Sequence, residues 1–299
     1  MRLVKYIYWY FYGVIQSNIH YFFLDKFLEI SLINKVVISN TNIKNINWSI
    51  GQKTLLVATK GNGLLLINNS NIYQLLKGLT VYGIAKKNSY EFYIFMTDDN
   101  IFGSIFKIII NDKNECIEIK EFIKGLSKGV HQIDFISKNK LIVTDTYLNR
   151  ILIYDLLKLE EENNNWSSFE KEFYPNQKLS FTKGRKSLNY NHFNSVFKQN
   201  EFVYIIAHNE SLKTQKASEL FVLDANFNII EKRCLDAENA HNYYVNKDLE
   251  IYCDSLKSNI IINKKKICLG KFTRGLSIVN EHIICGGSAI EKNRESRGL

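Results

Sequence analysis

The sequence predicts an all-β protein, a six-bladed β-propeller, from three observations. A phrase of three or four strands recurs along the chain, its apolar runs are rich in β-branched and aromatic residues, and its turns carry Asn, Lys and Gly. The clearest copy, "GVHQIDFISKNKLIVTDTYLNRILIYDL", spans 129–156 and has polar turns between its apolar strands. Such residues favour strands separated by tight turns. A repeated meander of this kind is typical of blades stacked around an axis, where each blade buries the faces of its neighbours.

Six copies of the phrase define the expected blades. They lie at 54–78, 81–123, 129–156, 192–235, 241–270 and 274–288. The first copy is expected to supply the last three strands of its blade, and the last copy ends after two strands. Propellers are commonly closed by strands from both termini. We therefore expect the strand-like segment 34–43, "NKVVISNTNI", to complete the last blade.

An irregular insert at 158–190 interrupts the repeat and contains the only proline, Pro175. We expect it to form an outer strand followed by a long loop on one face of the propeller. Loops of this length are often binding loops or lids.

The chain divides into an N-terminal extension, residues 1–32, and a propeller domain, residues 33–299. The run "YIYWYFYGVI" in the extension is aromatic, and no small-residue cleavage site follows it. Polar residues interrupt the stretch after it, so neither a signal peptide nor a spanning helix is expected. We expect a short amphipathic helix that packs on the propeller. The alternative is a helix that lies at a membrane interface.

The amino-acid composition of the chain limits the classes of partner and cofactor that we expect. The net charge is +9, but the basic residues are scattered through a Lys-, Asn- and Ile-rich sequence, so no nucleic-acid partner is expected. The five cysteines contain no C-x-x-C pair, and their spacing fits neither a disulfide framework nor a zinc finger. A reducing, cytoplasmic setting follows from this cysteine usage. No phosphate-binding loop is present, so no nucleotide cofactor is expected.

The strand pair "LIVTDTYLNRILIYDL" resembles the repeat of NHL propellers. The whole chain also resembles strictosidine-synthase-like and gluconolactonase-like six-bladed propellers. The phrases "HFNSV", "AHN", "CDS" and "RGL" are similar to those of an uncharacterised bacterial propeller family. The resemblance implies the fold and carries no settled activity.

Aligning the copies collects polar residues at two equivalent positions. The start of the innermost strand carries Tyr82, His131, His192, His241 and Arg274. The end of the second strand carries Thr59, Asp98, Asp145, His208, Asp254 and Gly287. Adjacent strands of a meander are antiparallel, so both sets are expected at the same end of the propeller, near its axis.

Two interpretations of this ring stay open. In the first, His131, His192, His208 and His241 converge on a divalent metal such as Zn, Fe or Mn, with carboxylates completing or orienting the shell. Such a centre has an architectural parallel in the histidine-metal sites of other propeller enzymes. In the second, no metal is present. The histidines then bind a ligand directly or act as acids and bases, or the histidines and aspartates hydrogen-bond the loop backbone between neighbouring blades.

The remaining candidates surround the histidines. Arg274 is expected to anchor an anionic group or to pair with a ring aspartate such as Asp254. Asp145 joins His208 and Arg274 as a candidate catalytic residue. The candidate ligand-binding residues are Asn194, Asn209, Asn242 and Asp254.

The sequence therefore predicts a metal-dependent lyase or hydrolase that acts on a small polar or anionic substrate, with His208 as a fourth ligand or general base. The alternative is a non-catalytic ligand-binding or scaffold propeller whose His and Asp ring is structural. Whether the protein is an enzyme stays open at this level.

Overall fold

The structure is a computed structural model that describes residues 31–45, 54–68, 71–99, 102–161, 167–176, 190–279 and 282–288. These residues form antiparallel sheets with two short helices, α1 (Leu156–Glu161) and α2 (Ser211–Thr214), and one 3-10 turn. The predicted all-β class is confirmed. The expected helix within 1–32 lies outside the described residues. Within the described ranges, no helix has the length and apolar character needed to cross a bilayer.

The first three blades are four-stranded sheets. Blade 1 contains β1 (Val37–Asn45), β2 (Thr54–Thr59), β3 (Gly63–Asn68) and β4 (Asn71–Lys77). Blade 2 contains β5 (Thr80–Lys86), β6 (Glu91–Thr97), β7 (Phe102–Ile110) and β8 (Cys116–Ser127). Blade 3 contains β9 (Val130–Ser137), β10 (Lys140–Asp145), β11 (Arg150–Asp155) and β12 (Lys171–Phe173). The outer strand expected from the insert is β12.

Two further blades and a smaller sheet follow. Blade 4 contains β13 (Phe193–Gln199), β14 (Phe202–Ala207), β15 (Glu219–Leu223) and β16 (Ile229–Cys234). Blade 5 contains β17 (Ala240–Val245), β18 (Glu250–Asp254), β19 (Asn259–Ile262) and β20 (Lys265–Cys268). The sixth sheet contains only β21 (Phe272–Val279) and β22 (His282–Ser288). The described chain thus has five blades, and the prediction of six is wrong.

Strand β1 lies in the first blade, not the last. It pairs antiparallel with β4, from Val37 opposite Lys77 to Asn45 opposite Asn71, and the sheet order is β1-β4-β3-β2. The segment 54–78 therefore forms the three inner strands of blade 1, and β1 is its outer edge. The predicted closure by strands from both termini is wrong for the described chain. The physical reason is that β4 offers an edge next to β1, so the pair forms within one blade.

The core consists of apolar layers between successive blades. Along β6, Tyr93 and Phe95 pack toward blade 3, whereas Ile94 and Met96 pack toward blade 1. Alternate side chains of a strand point to opposite faces of its sheet, so each central strand feeds two layers. Similar layers join blade 3 to blade 4 and blade 4 to blade 5. This stacking brings the inner strands β5, β9, β13, β17 and β21 side by side in chain order.

Polar side chains next to β-bulges tie the inner strands together. Gln132 of β9 donates to the Val196 carbonyl across 2.9 Å. Asn194 of β13 donates to the Ala240 carbonyl across 2.9 Å. Asn242 of β17 accepts from the Gly275 amide across 2.6 Å. A bulge frees a residue from ladder pairing, so its side chain can serve as an interblade latch.

Candidate functional site

An arc of aromatic rings runs along one end of the inner strands, from blade 2 to the sixth sheet. Its members, in spatial order, are Tyr82, His131, His192, His208, His241 and Phe272. Neighbouring ring centroids are 3.7 to 5.7 Å apart. We call His131, His192, His208 and His241 the histidine cluster. The structure therefore brings together the four histidines that the sequence placed at one mouth.

The register of these residues differs from the alignment at one point. Val130 pairs with Asp145 and Ala240 pairs with Asp254, so His131 and His241 occupy equivalent positions. The His192 carbonyl accepts from the His208 amide at 3.3 Å, which places His192 one residue earlier. Its backbone lies in the left-handed region, with φ of 54°. The ring still joins the cluster because this uncommon conformation departs from regular strand alternation.

The same local hydrogen bond, from the ring to a backbone carbonyl two residues earlier, orients His131 and His241. The Nδ1 atom of His131 lies 2.9 Å from the Gly129 carbonyl oxygen, and Nδ1 of His241 lies 2.8 Å from the Asn239 carbonyl oxygen. A carbonyl oxygen only accepts, so we assign the proton to Nδ1 in both rings. Ser255 Oγ also lies 2.8 Å from Nδ1 of His241. Each neutral ring therefore has its lone pair on Nε2.

His192 connects the cluster to two groups that the sequence analysis missed, Tyr190 and Glu210. Its Nε2 lies 3.3 Å from Nε2 of His131, which accepts, so we assign the donated proton to His192. Its Nδ1 lies 3.2 Å from the Tyr190 hydroxyl and 3.4 Å from a carboxylate oxygen of Glu210. Both missed groups lie two residues from a cluster histidine along the chain, the one signal in the sequence that pointed to them.

His208 is the most constrained member of the cluster. It stacks on His192 with an interplanar angle of 20°, and its Nδ1 accepts from the Glu210 amide at 2.9 Å. Neutral His208 therefore carries its proton on Nε2. Its pKa is lowered well below the usual value, first by burial and then by repulsion from His192, His241 and His131. Both effects disfavour the charged imidazolium, so His208 is neutral near pH 7.

A metal centre is only partly compatible with this geometry. The 3.3 Å between Nε2 of His131 and Nε2 of His192 matches the spacing of two nitrogen ligands at ~2.0–2.1 Å from one tetrahedral zinc. The stacked rings of His192 and His208 do not fit, because in-plane lone pairs on nearly parallel rings cannot meet at one ion. Within the described ranges, no three His, Cys, Asp or Glu residues are grouped so that they could hold a metal. As arranged, the cluster is a hydrogen-bonded and stacked group of imidazoles.

Two of the predicted aspartates are engaged within the fold. Asp145 Oδ2 accepts from Arg150 Nε at 2.8 Å, and both side chains are fully buried. Arg150 also pairs with Glu172 at 2.5 Å. Asp254 accepts from the Glu238 amide at 2.9 Å and from the Asn259 amide group at 3.2 Å. The Asp145 contacts lie within blade 3, whereas Asp254 binds the backbone of the connection between blades 4 and 5, as the latching interpretation predicts. The catalytic role of Asp145 and the ligand role of Asp254 stay predictions.

Asp98 is out of the predicted register. Val81 pairs with Met96, so Met96 occupies the position equivalent to Asp145, and Asp98 lies two residues further along. Its carboxylate pairs with Lys35 at 2.5 Å. The structure therefore places Asp98 outside the set of residues equivalent to Asp145, Asp254 and His208.

The predicted asparagines also make internal hydrogen bonds. Asn194 and Asn242 are two of the interblade latches. Asn209 accepts from Asn191 at 3.2 Å and donates to the Ala217 carbonyl at 2.9 Å, so it orders the segment after β14. Oδ1 of Asn194 is one of three buried side-chain atoms without a hydrogen-bond partner among the described residues, with Oδ1 of Asp145 and Oγ of Ser288. The predicted ligand contacts of Asn194, Asn209 and Asn242 stay predictions.

Arg274 follows Phe272 on β21, and its side chain is exposed. Thr273 pairs with Gly287 ahead of a bulge, so Arg274 lies at the position equivalent to His241 in the next sheet. Side chains two residues apart on a strand share a face. The ring of Phe272, two residues before Arg274 on this strand, lies 5.6 Å from the His241 ring.

Comparison with known proteins bears on the fold. No protein-family model matches the chain. No curated protein matches it either. One similar solved structure is a chain of a nidogen/laminin complex, at 10% identity and a TM-score of 0.55, covering 79% of this chain and 86% of that one. Another is a protein of unknown function from Bacteroides caccae, at 10% identity and a TM-score of 0.50, covering 81% and 85%.

A third is an auxiliary nutrient binding protein from Bacteroides thetaiotaomicron, at 11% identity and a TM-score of 0.50. The alignment covers 77% of this chain and 56% of that protein, so the chain spans little more than half of its length. The chain has the β-propeller fold. Identities this low show the fold alone. The resemblance to NHL-repeat propellers is not confirmed by any matching family.

Proposed function

We propose that this propeller binds a small polar or anionic molecule at the mouth lined by the histidine cluster, and that binding is coupled to proton uptake by the cluster. The observation that carries this proposal is the stacked and hydrogen-bonded group of four imidazoles, in which burial and repulsion lower the pKa of His208. Three consecutive blades contribute its members.

The blades are also joined by contacts that do not involve this cluster. Blades are joined by apolar layers and by the amides of Gln132, Asn194 and Asn242. Placing several titratable rings together costs free energy, because burial and mutual repulsion hold the pKa of His208 far below its usual value. Strongly shifted titratable groups gathered at one mouth are typical of functional sites.

Charge gives the class of ligand. A bound anion would offset the repulsion within the cluster and make protonation of an imidazole favourable. His192 is the ring suited to receive that proton, because a proton on its Nδ1 would face the Glu210 carboxylate 3.4 Å away. Arg274, at the position equivalent to His241 in the sixth sheet, adds a permanent positive charge. The overall charge of +9 attracts anions to the protein.

Isothermal titration calorimetry with inorganic phosphate, sulfate and citrate tests the proposal. Each anion is titrated at pH 7 in two buffers that differ in ionisation enthalpy, so that the buffer-dependent heat counts the protons taken up. We expect binding by at least one anion with net proton uptake. His241→Gln and Arg274→Gln should each weaken it at least tenfold, and His282→Gln, on β22 outside the cluster, should not. Failure of all three anions to bind, or binding without proton uptake, would overturn the proposal.

Catalysis by the same mouth, as a lyase or hydrolase, is a second candidate. It is favoured by His241, whose Nδ1 contacts the Asn239 carbonyl and Ser255, so that the neutral ring carries on Nε2 the lone pair that a general base uses. His208 was the predicted base, but its neutral form carries the proton on Nε2 and is suited to donate. Hydrolysis of p-nitrophenyl acetate and p-nitrophenyl phosphate tests this candidate. Loss of turnover in His241→Gln but not in His282→Gln supports it, and equal rates in both variants refute it.

The metal-dependent form of this activity stays a prediction with a separate test. Cobalt titration of the apoprotein should give visible absorption bands typical of nitrogen-ligated Co²⁺ if the His192–His208 stack opens to bind it. An unchanged spectrum, with the same result for zinc by equilibrium dialysis, excludes the metal form.

A further inference from the structure

Two cysteines from adjacent sheets, blade 5 and the sixth sheet, have their sulfur atoms close together. Cys253 is in β18 of blade 5 and Cys285 is in β22 of the sixth sheet, and their Sγ atoms are 3.7 Å apart. No comparable contact between sulfur atoms is found among the described residues for the other three cysteines, Cys116, Cys234 and Cys268. A disulfide has about 2.05 Å between its sulfurs, so bonding requires the two Sγ atoms to approach by roughly 1.7 Å.

The two thiols have different environments. Cys253 is fully buried, whereas Cys285 is half-buried. The Cys253 thiol donates toward Cys285, which lowers the pKa of Cys285, and the same contact together with burial raises the pKa of Cys253. The more accessible sulfur is thus also the one that ionises more readily, which is the arrangement of an attacking thiol with a resolving partner.

The sixth sheet is the element that such a bond would fasten. Its two strands pair only with each other within the described chain. Polar contacts to blade 5 include Ser255 to the Thr273 carbonyl at 2.5 Å and the Gly275 amide to Asn242 at 2.6 Å. Strands β21 and β22 are partly exposed along much of their length. A covalent link between β18 and β22 would restrain this small sheet directly.

We propose that Cys253 and Cys285 form a reversible disulfide that fastens the sixth sheet to blade 5, through exchange with a low-molecular-weight disulfide such as oxidised glutathione. The Cys285 thiolate attacks one glutathione sulfur, which forms a mixed disulfide and releases one glutathione thiolate. Cys253 then loses its proton and attacks Sγ of Cys285, which forms the protein disulfide and releases the second thiolate. The protein is oxidised by two electrons, and one glutathione disulfide is reduced to two glutathione molecules.

The cysteine pair is connected through strand pairing to residues of the proposed binding mouth, although this proposal does not depend on the proposed function. Cys253 is the strand partner of His241, and Cys285 is the strand partner of Leu276, two residues beyond Arg274. The disulfide would therefore fix the two sheets that hold these residues. A free pair would leave the sixth sheet held by noncovalent contacts.

Peptide mass mapping of the wild-type protein in glutathione redox buffers tests the proposal without a destabilising substitution. We expect a linked pair of peptides containing Cys253 and Cys285, two hydrogens lighter than the reduced pair and restored by dithiothreitol. The oxidised protein should have a higher melting temperature. Cys268→Ser and Cys234→Ser are the matched controls and should retain the link. Recovery of Cys253 as a free thiol in oxidised glutathione, while circular dichroism shows the fold intact, overturns the proposal.

Discussion

The imidazole rings of His192 and His208 stack face to face, with centroids 3.7 Å apart, although one ring precedes β13 and the other follows β14. This stack has two consequences for the histidine cluster. It prevents both rings from sharing one metal ion as they are arranged, and it places two titratable groups in van der Waals contact. The same contact therefore makes the cluster sensitive to protonation.

Lowering the pH should destabilise the protein through His208. Its pKa in the folded state is below the ordinary 6.5 because of burial and repulsion from its neighbours, so the unfolded chain binds more protons as the pH falls. Stability is therefore fully present above about pH 6.5 and is lost as the pH falls below that value, at up to about 1.4 kcal/mol per pH unit for one proton. Urea unfolding at pH 7.5, 6.5 and 5.5 measures the loss.

The matched variants for this prediction are His208→Gln and His282→Gln. The first should flatten the loss of stability between pH 6.5 and 5.5, and the second should leave it unchanged. A His208→Gln protein that loses stability as steeply as the wild type would assign the pH dependence to other groups.

Arg150→Met should destabilise the protein by about 3–5 kcal/mol, because it leaves the buried Asp145 carboxylate without its cation. Adding Asp145→Asn to that variant should recover part of the loss, since the uncompensated charge is removed. Lys140→Met, which breaks the more exposed pair with Glu170, should cost less than about 1 kcal/mol. Equal losses in the two single variants, measured by urea unfolding, would contradict the buried pair.

Asn194→Ala should lower stability without changing anion binding. The variant loses the hydrogen bond to the Ala240 carbonyl and so costs about 1 kcal/mol. Anion affinity should stay within about twofold if Asn194 is a latch, a free-energy change of at most about 0.4 kcal/mol. A tenfold loss of affinity would instead restore its predicted ligand role. Asn226→Ala, at an exposed turn, is the control and should change neither quantity.

The position of β1 can be checked by an engineered cross-link. Thr41 and Gln74 are strand partners in blade 1, so the Thr41→Cys/Gln74→Cys variant should form a disulfide under mild oxidation. The pair Thr41→Cys/His282→Cys, which the predicted closure of the last blade would bring near, should remain reduced. Peptide mapping under non-reducing conditions separates the two outcomes, and a link only in the second variant would move β1 to the sixth sheet.

Much of the blade architecture could be predicted from local patterns. The copy at 192–235 predicted four strands, and β13 to β16 occupy that range, because alternating apolar residues and Asn-rich turns are local signals of a meander. Which edge receives β1 could not be predicted, since two sheets offered a plausible neighbour and strand pairing is a long-range contact. The number of blades also could not be read from the number of repeat copies, because a two-strand copy carries the same local pattern as half a blade.

The sequence by itself determined the all-β class, the strand phrases and the convergence of His131, His192, His208 and His241 on one mouth, because equivalent repeat positions fall at the same end of stacked blades. The tertiary structure decided the protonation pattern and the partners. The carbonyls two residues before His131 and His241 fix the Nδ1 protons of those two rings. The backbone of His192 is left-handed, and its ring contacts Tyr190 and Glu210 in that conformation. Hydrogen-bond geometry depends on atoms brought together from separate strands, and no linear pattern encodes that juxtaposition.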